Sequence, residues 1–279
     1  MGGRLVLHDG GEAAHRLVEE VVAAVVVDAG DLPHEDPPLA RLAVEAMEQA
    51  RRQGEAVAIK FGDRETTFAA LDAQTNRVAN ALAAHGVHPG DRVSVLAKNH
   101  DAWFPLFFGT ARARACFAPI NCRLAAGEIA FILEDAAPRV LFVSDDFFPL
   151  AQDAVAGLAH PPHLVALCGE DAAFEPLDSW LGHAAETPPA DPPQLSDHVL
   201  QLYTSGTTGR PKGVVLDNTN YRSFLEMASA VDGFAYGEGE TVMIVMPLFH
   251  VAGTNVSFSG LAQGARLVVV KDFVPADAI

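Results

Sequence analysis

Between residues 92 and 167 short apolar runs alternate with segments of helical period, and this alternation constrains the fold more than any other feature of the chain. Arg92–Leu96, Cys116–Ile120, Val140–Val143 and Leu164–Leu167 read as strands. The stretches near 102–113, 128–136 and 148–158 read as helices. Strands separated by helices must be joined by crossovers, so they lie parallel and are covered on both faces. The expected fold class is therefore α/β, with layered sheets flanked by helices.

The flanking segments extend this pattern. Leu39, Leu42, Ala43, Ala46, Met47 and Ala50 recur at helical spacing and stop before Gly54, a residue suited to the position just past a helix end. Val57–Phe61 and Glu65–Phe68 form a hairpin around Gly62-Asp63-Arg64. A helix carrying Leu71, Val78, Ala79 and Leu82 on one face follows and ends before Gly86. Further on, 198–204, 213–216, 241–245 and 266–270 read as strands, with a helix near 220–231.

Four of the seven residues from Thr187 to Pro193 are proline, which fixes dihedrals and removes donors as an extended connector requires. The expected organisation is an N-terminal extension over 1–36 without a motif, a first α/β subdomain over 37–190, and the start of a second over 191–279. The final residues, Val274 to Ile279, read as the first turn of a helix, so the sequence is expected to stop inside a domain.

Charge and cysteine content narrow the function. With 36 acidic against 19 basic residues in 279, the formal charge is −17, which repels a phosphate backbone and argues against general nucleic-acid binding. The apolar run Val21–Val27 is short and bracketed by Glu19, Glu20 and Asp28, which suits neither a spanning helix nor a secretory signal. Cys116, Cys122 and Cys168 show no CxxC spacing and are expected to be small buried hydrophobes. A cytoplasmic protein is expected.

The chemistry concentrates in Tyr203-Thr204-Ser205-Gly206-Thr207-Thr208-Gly209-Arg210-Pro211-Lys212-Gly213. Gly206, Gly209 and Gly213 let a backbone approach a ligand and gather N–H groups into a concavity. Thr204, Ser205, Thr207 and Thr208 add hydroxyls for phosphate oxygens, and Thr208 is the candidate Mg²⁺ ligand. Lys212 brings one mobile positive charge, and Pro211 stiffens the approach to it. The usual P-loop needs Gly-Lys-Ser/Thr and a following helix. Here Lys212 precedes the strand-like Gly213-Val214-Val215-Leu216, so the segment reads as a polyphosphate cradle between two strands; the alternative is a flexible surface loop. His250, in an apolar stretch after Pro247, is either a pocket-facing ring or a hydrogen-bonded core residue. Gly237-Glu238-Gly239 reads as a turn, His160-Pro161-Pro162-His163 lacks a third metal ligand, and Asp145-Asp146 reads as a solvated strand end.

The loop resembles the phosphate-binding signature of the adenylate-forming superfamily, which includes acyl-CoA synthetases, luciferases and the adenylation domains of nonribosomal peptide synthetases. Met246-Pro247-Leu248-Phe249-His250-Val251-Ala252-Gly253 is similar to the family's next core motif, and Thr67-Phe68 through Gly90-Asp91-Arg92-Val93 and Phe117-Ala118-Pro119-Ile120-Asn121 to its weaker N-terminal signatures. The resemblance implies that a carboxylate attacks the α-phosphate of Mg-ATP, and that a thiol, usually that of coenzyme A, then takes the acyl group. It implies that Thr204, Ser205, Gly206, Thr207, Thr208, Gly209 and Lys212 hold the departing phosphates, with Lys212 and Thr208 in the catalytic role. It also implies that His250 stands beside the carboxylate pocket.

Family members carry further motifs for adenine, Mg²⁺ and ribose, and a small C-terminal domain with a catalytic lysine. The 279 residues contain none of these, so this stretch alone is expected to bind ATP weakly and to turn over no acid. Two alternatives stand beside a fatty or aromatic acyl-CoA ligase. One is an amino-acid-activating domain, which usually bears an acidic residue near the second motif; the apolar Val256–Leu261 segment suits an uncharged tail instead. The other is a noncatalytic nucleotide-binding or interaction module.

Overall fold

The strands Arg92–Leu96, Cys116–Pro119 and Val140–Val143 are largely apolar and buried along almost their whole length, as expected of strands covered on both faces. The computed structural model describes residues 42–204, 210–230 and 235–272. The chain begins with α1 (Leu42–Gln53), the hairpin β1 (Val57–Phe61) and β2 (Arg64–Thr67), and α2 (Phe68–Ala84). There follow β3 (Arg92–Leu96), α3 (Trp103–Arg112), β4 (Cys116–Pro119), α4 (Ala126–Ala136), β5 (Val140–Val143), α5 (Phe148–Val155) and β6 (His163–Ala166). Next come β7 (Glu175–Pro176), α6 (Leu177–Leu181), β8 (His198–Thr204), β9 (Lys212–Asp217) and α7 (Asn218–Ala230). The last elements are β10 (Thr241–Ile244), α8 (Val251–Ala262) and β11 (Arg266–Val269).

Two sheets form, in the orders β10-β11-β1-β2 and β7-β6-β5-β3-β4-β8-β9. The Pro-rich connector does not separate them. β8 lies parallel beside β4, with Phe117 opposite Leu200, and β11 lies parallel beside β1, with Ile59 opposite Leu267. Strands from both sides of position 190 therefore share each sheet. The expected extension over 1–36 lies outside the described residues.

Local chemistry explains the element ends. Thr67 closes β2 and caps α2, its Oγ1 accepting the Ala70 N–H at 3.1 Å. Gly86, at φ +76°, turns the chain out of α2, a conformation that a side chain would strain. Between the sheets runs α8, whose residues Gly253 to Leu261 are all buried. A helix buried all round belongs to the core, and its Thr254 and Ser257 hydroxyls are satisfied by backbone carbonyls of the turn and of the helix itself. Phe258 stacks on Phe107 of α3 at 4.0 Å, so the Val256–Leu261 stretch expected to face an acyl tail serves the core. The pair β7–α6 had no sequence signal, because a two-residue strand shows no period; burial of Trp180 holds it in place. Of the cysteines only Cys116 is fully buried, and burial pushes its thiol up to about 12; Cys122 and Cys168 are partly exposed, which corrects the expectation for these two.

Close helix packing and one ion-pair clasp tie the layers. A Cβ on Gly109 of α3 would lie 2.6 Å from Val78 Cβ of α2, so this crossing requires glycine. Arg64 of the β1–β2 hairpin donates twice to Asp101, at 2.7 and 2.9 Å, across the two sheets. Burial raises the Asp101 carboxyl, but the His100 and Arg64 hydrogen bonds outweigh it and hold the group well below the usual carboxylate range.

Gly109→Ala should lower stability by about 1–3 kcal/mol through overpacking, read as a shifted denaturation midpoint with an unchanged slope. Because Asp101 has a depressed pKa in the fold, its stabilisation is fully present above the unfolded value of about 4, erodes as pH falls below it and is lost only as pH falls through the depressed folded value. The stability gap between wild type and Asp101→Asn should therefore narrow between about pH 5 and pH 3; a gap independent of pH over that range would refute the assignment.

Candidate functional site

The loop after β4 leads back over β3 to β5, whereas the loop after β8 leads outward to the antiparallel β9. Adjacent strands whose connections depart in opposite directions open a crevice at their carboxyl ends, the usual ligand position in open α/β sheets. A cavity of about 530 Å³ occupies that place. Its walls include Pro119 and Asn121 after β4, Ile132 of α4, Thr204 at the end of β8, Arg210, and His250 at the start of α8. Such a volume suits a small organic ligand.

Thr204 and Lys212 face each other as the last pair of the β8–β9 ladder, so the hydroxyl- and glycine-rich segment does join two strands. Both residues are exposed. The expected site residues Ser205, Gly206, Thr207, Thr208 and Gly209 lie outside the described residues. Arg210 and Pro211, rather than Lys212, complete the cavity wall on this side. Arg210 also sets its guanidinium 5.7 Å from the Phe131 ring of α4.

Gly213 departs from its expected role. It stands opposite Tyr203 in the ladder, and a Cβ there would lie 2.7 Å from Gln201 Nε2 and 3.3 Å from Tyr203 Cζ. Its missing side chain makes room for the Gln201 amide, which donates to the Tyr203 hydroxyl at 2.9 Å, rather than for a ligand. Burial, reinforced by the Asp135 carboxylate, raises the Tyr203 phenol far above its ordinary range, so it keeps its proton and donates to Asp135 at 2.6 Å.

His250 is exposed on the cavity wall, which decides between the two readings of its position. It is the N-cap of α8, and its Nδ1 accepts the Ala252 N–H at 3.3 Å, leaving Nε2 to carry the proton of the neutral ring. The preceding segment is held from across the molecule. Asn99, 6 % exposed, donates through Nδ2 to the Met246 carbonyl at 3.0 Å and the Val270 carbonyl at 3.1 Å, and its Oδ1 accepts the Leu248 N–H at 2.8 Å. Gly253 lets α8 approach this turn, since a Cβ there would sit 2.3 Å from the Pro247 carbonyl oxygen. Thr254 Oγ1 closes the turn 2.8 Å from the His250 carbonyl.

The minor candidates resolve as structural. Asp146 pairs with Lys271 at 2.8 Å, and Asp145 accepts from the Cys168 thiol at 3.3 Å, so neither is simply a solvated strand end. His163 pairs with Glu175 at 2.7 Å. Gly239, at φ +83°, lies in a turn. Among the described residues no group of three or more His, Cys, Asp or Glu side chains could hold a metal ion. Sequence reasoning missed Arg210, although it lies within the motif, and Asn99. Asn99 carries no local signal, because its partners stand 147 to 171 residues away.

Comparisons with known proteins show the family and the fold. The AMP-binding enzyme family matches residues 46–279. The fatty acid–[acyl-carrier-protein] ligase ScoC of Streptomyces coeruleorubidus is 32% identical over 249 residues, covering 87% of this chain and 46% of its own. The long-chain-fatty-acid–CoA ligase FadD13 of Mycobacterium tuberculosis is 36% identical over 213 residues, covering 76% of this chain and 41% of its own. The solved N-terminal domain of FACL13 from the same organism superposes with a TM-score of 0.75 at 30% identity, over 85% of this chain and 59% of that one. The anthranilate CoA ligase AuaEII, solved with anthranoyl-AMP, gives a TM-score of 0.81 at 26% identity, over 90% and 48% of the two chains. The chain thus spans under half the length of these curated relatives.

Asn99→Ala removes three hydrogen bonds and leaves buried backbone groups unpaired, so it should cost about 2–4 kcal/mol in urea denaturation. Asn99→Asp, which keeps the acceptor for Leu248 but loses both donors, should be destabilising as well. Wild-type midpoints in both variants would contradict the role given to this amide.

Proposed function

Because the chain belongs to the AMP-binding enzyme family, we propose that the natural protein activates an uncharged fatty or aromatic carboxylic acid with ATP and passes the acyl group to the thiol of coenzyme A. The observation that carries the reading is the convergence of Thr204, Arg210 and His250 on one cavity at the carboxyl ends of β4 and β8. Cationic, hydroxyl and imidazole groups on the wall of one cavity support a site for a polyphosphate and a carboxylate.

In the first half-reaction a carboxylate oxygen attacks the α-phosphorus, the bond to the bridging oxygen breaks, and pyrophosphate leaves as the acyl-adenylate forms. Negative charge grows on the departing phosphates, where positioned cations and donors stabilise it most. Lys212 and Thr204, the last pair of the β8–β9 ladder, are the proposed groups for that charge, and Ser205, Gly206, Thr207, Thr208 and Gly209 are the remaining donors of the proposed cradle. His250, on the cavity wall, is the proposed group beside the acid's carboxylate. In the second half-reaction the coenzyme A sulfur attacks the acyl carbon and AMP departs. Mg²⁺ would travel with ATP and be held largely by phosphate oxygens, as is usual for this ion; Thr208 is its proposed protein ligand.

An uncharged tail is supported by the apolar wall of Pro119, Leu124, Ile132 and Val251. Among the described residues lining the cavity, the carboxylate is that of Glu128, and its Oε2 already accepts the Ala125 N–H at 2.9 Å. An amino-acid substrate would need a carboxylate for its ammonium. The free thiols Cys116, Cys122 and Cys168 fit a reducing compartment, and we place the reaction in the cytoplasm. No helix of the described residues is long and apolar enough to cross a membrane.

Acid-dependent pyrophosphate release by the natural gene product should appear with some of a panel of fatty and aromatic acids. It should fall about tenfold or more in Lys212→Ala, mainly in kcat, as loss of a transition-state contact requires. A folded protein that releases no pyrophosphate with any acid would move the assignment to a noncatalytic nucleotide-binding module.

A further inference from the structure

We propose that Tyr203 is a positioning residue for the phosphate-binding segment, acting through a directed hydrogen-bond relay, Arg92–Gln201–Tyr203–Asp135, that anchors one end of this segment to helix α4. The inference rests on the ATP-dependent activity proposed above and adds to it how the ends of that segment are set.

The direction of the relay follows from what each group can do. Arg92 has donors only, so its Nε–H, 3.1 Å from Gln201 Oε1, orients the amide. The Gln201 Nε2 then turns to the Tyr203 oxygen at 2.9 Å and fills one of its acceptor positions. The Tyr203 hydroxyl has one proton left to give, and gives it to Asp135 Oδ2 at 2.6 Å. Each bond polarises the next, so the chain has one arrangement rather than two. Gly213 belongs to it, because a Cβ at that position would strike Gln201 Nε2.

The other end of the segment meets the same helix. Tyr203 immediately precedes Thr204, and Arg210 follows the last residue of the cradle. Arg210 rests against Phe131 at 5.7 Å, and Phe131 and Asp135 are four residues apart, hence on one face of α4. The neighbouring Ile132 lines the cavity itself. One rigid helix therefore serves as cavity wall and as the reference for both ends, and holding ends to a rigid element is what gives a phosphate site its precision.

The test uses the natural gene product and follows the ATP and acid dependence of pyrophosphate release, together with thermal melting. Tyr203→Phe should raise the KM for ATP about five- to tenfold, the net worth of one intramolecular hydrogen bond, while the KM for the acid stays within twofold. Asp135→Ala should match it, the double variant should be no worse than either single one, and Asp135→Asn, which keeps an acceptor oxygen, should restore most of the loss. Phe131→Leu should raise the same KM from the other end. An unshifted ATP KM in Tyr203→Phe, additive losses in the double variant, or equal rises in both KM values would overturn the inference while leaving the activity intact. A wild type that neither binds ATP in calorimetry nor releases pyrophosphate would overturn the activity and this inference with it.

Discussion

Asn99 donates to carbonyls at the ends of β10 and β11 and accepts an N–H from the turn that leads into α8. It stands in the loop after β3, so three bonds from a single buried amide join the carboxyl ends of the two sheets. A buried amide must satisfy its donors and acceptor or lose their solvation, and here one geometry satisfies all of them. The position of His250 is a consequence: the turn is clamped at Met246 and Leu248, Gly253 lets the helix close on Pro247, and the imidazole emerges as the N-cap. The Arg64–Asp101 clasp adds a second tie between the same layers.

The second condition for the cavity is topological. β4 and β8 lie side by side and parallel, yet their connections leave in opposite directions. No side chain has to be spent on opening the crevice; it exists because the chain cannot cover both loops at once. What the side chains supply is its character, an apolar wall on one side and Thr204 with Arg210 on the other. Helix α4 then acts as the common reference for the strand end and for Arg210.

Two glycines from different motifs illustrate how one residue type answers to different demands. Gly253 is required by the approach of a helix to a carbonyl oxygen, and Gly213 by the passage of a neighbour's amide across a sheet. Both lie within sequence signatures that suggest ligand contact. In each case the space is used by the protein itself.

Much of this was legible in the chain. The strands β3, β5 and β8 end where their strand-like runs end, and Gly54 and Gly86 mark helix ends, because these signals depend on residues a few positions apart. The loop's hydroxyls, glycines and lysine announced phosphate chemistry for the same reason, as a local density of donors. The roles of Asn99, Gln201, Asp135 and Arg210 could not be read this way. Their partners lie in other layers, and a side chain with several possible acceptors is assigned one only when the sheets are stacked. Nor could periodicity show that Val256–Leu261 serves the core, since an apolar helix looks alike whether it faces a ligand or Phe107. The sequence by itself determined most of the strands and helices and the density of hydroxyls, glycines and a lysine in the loop; the tertiary structure alone decided which distant groups meet, because hydrogen bonds and burial are settled by contacts between layers that no local pattern records.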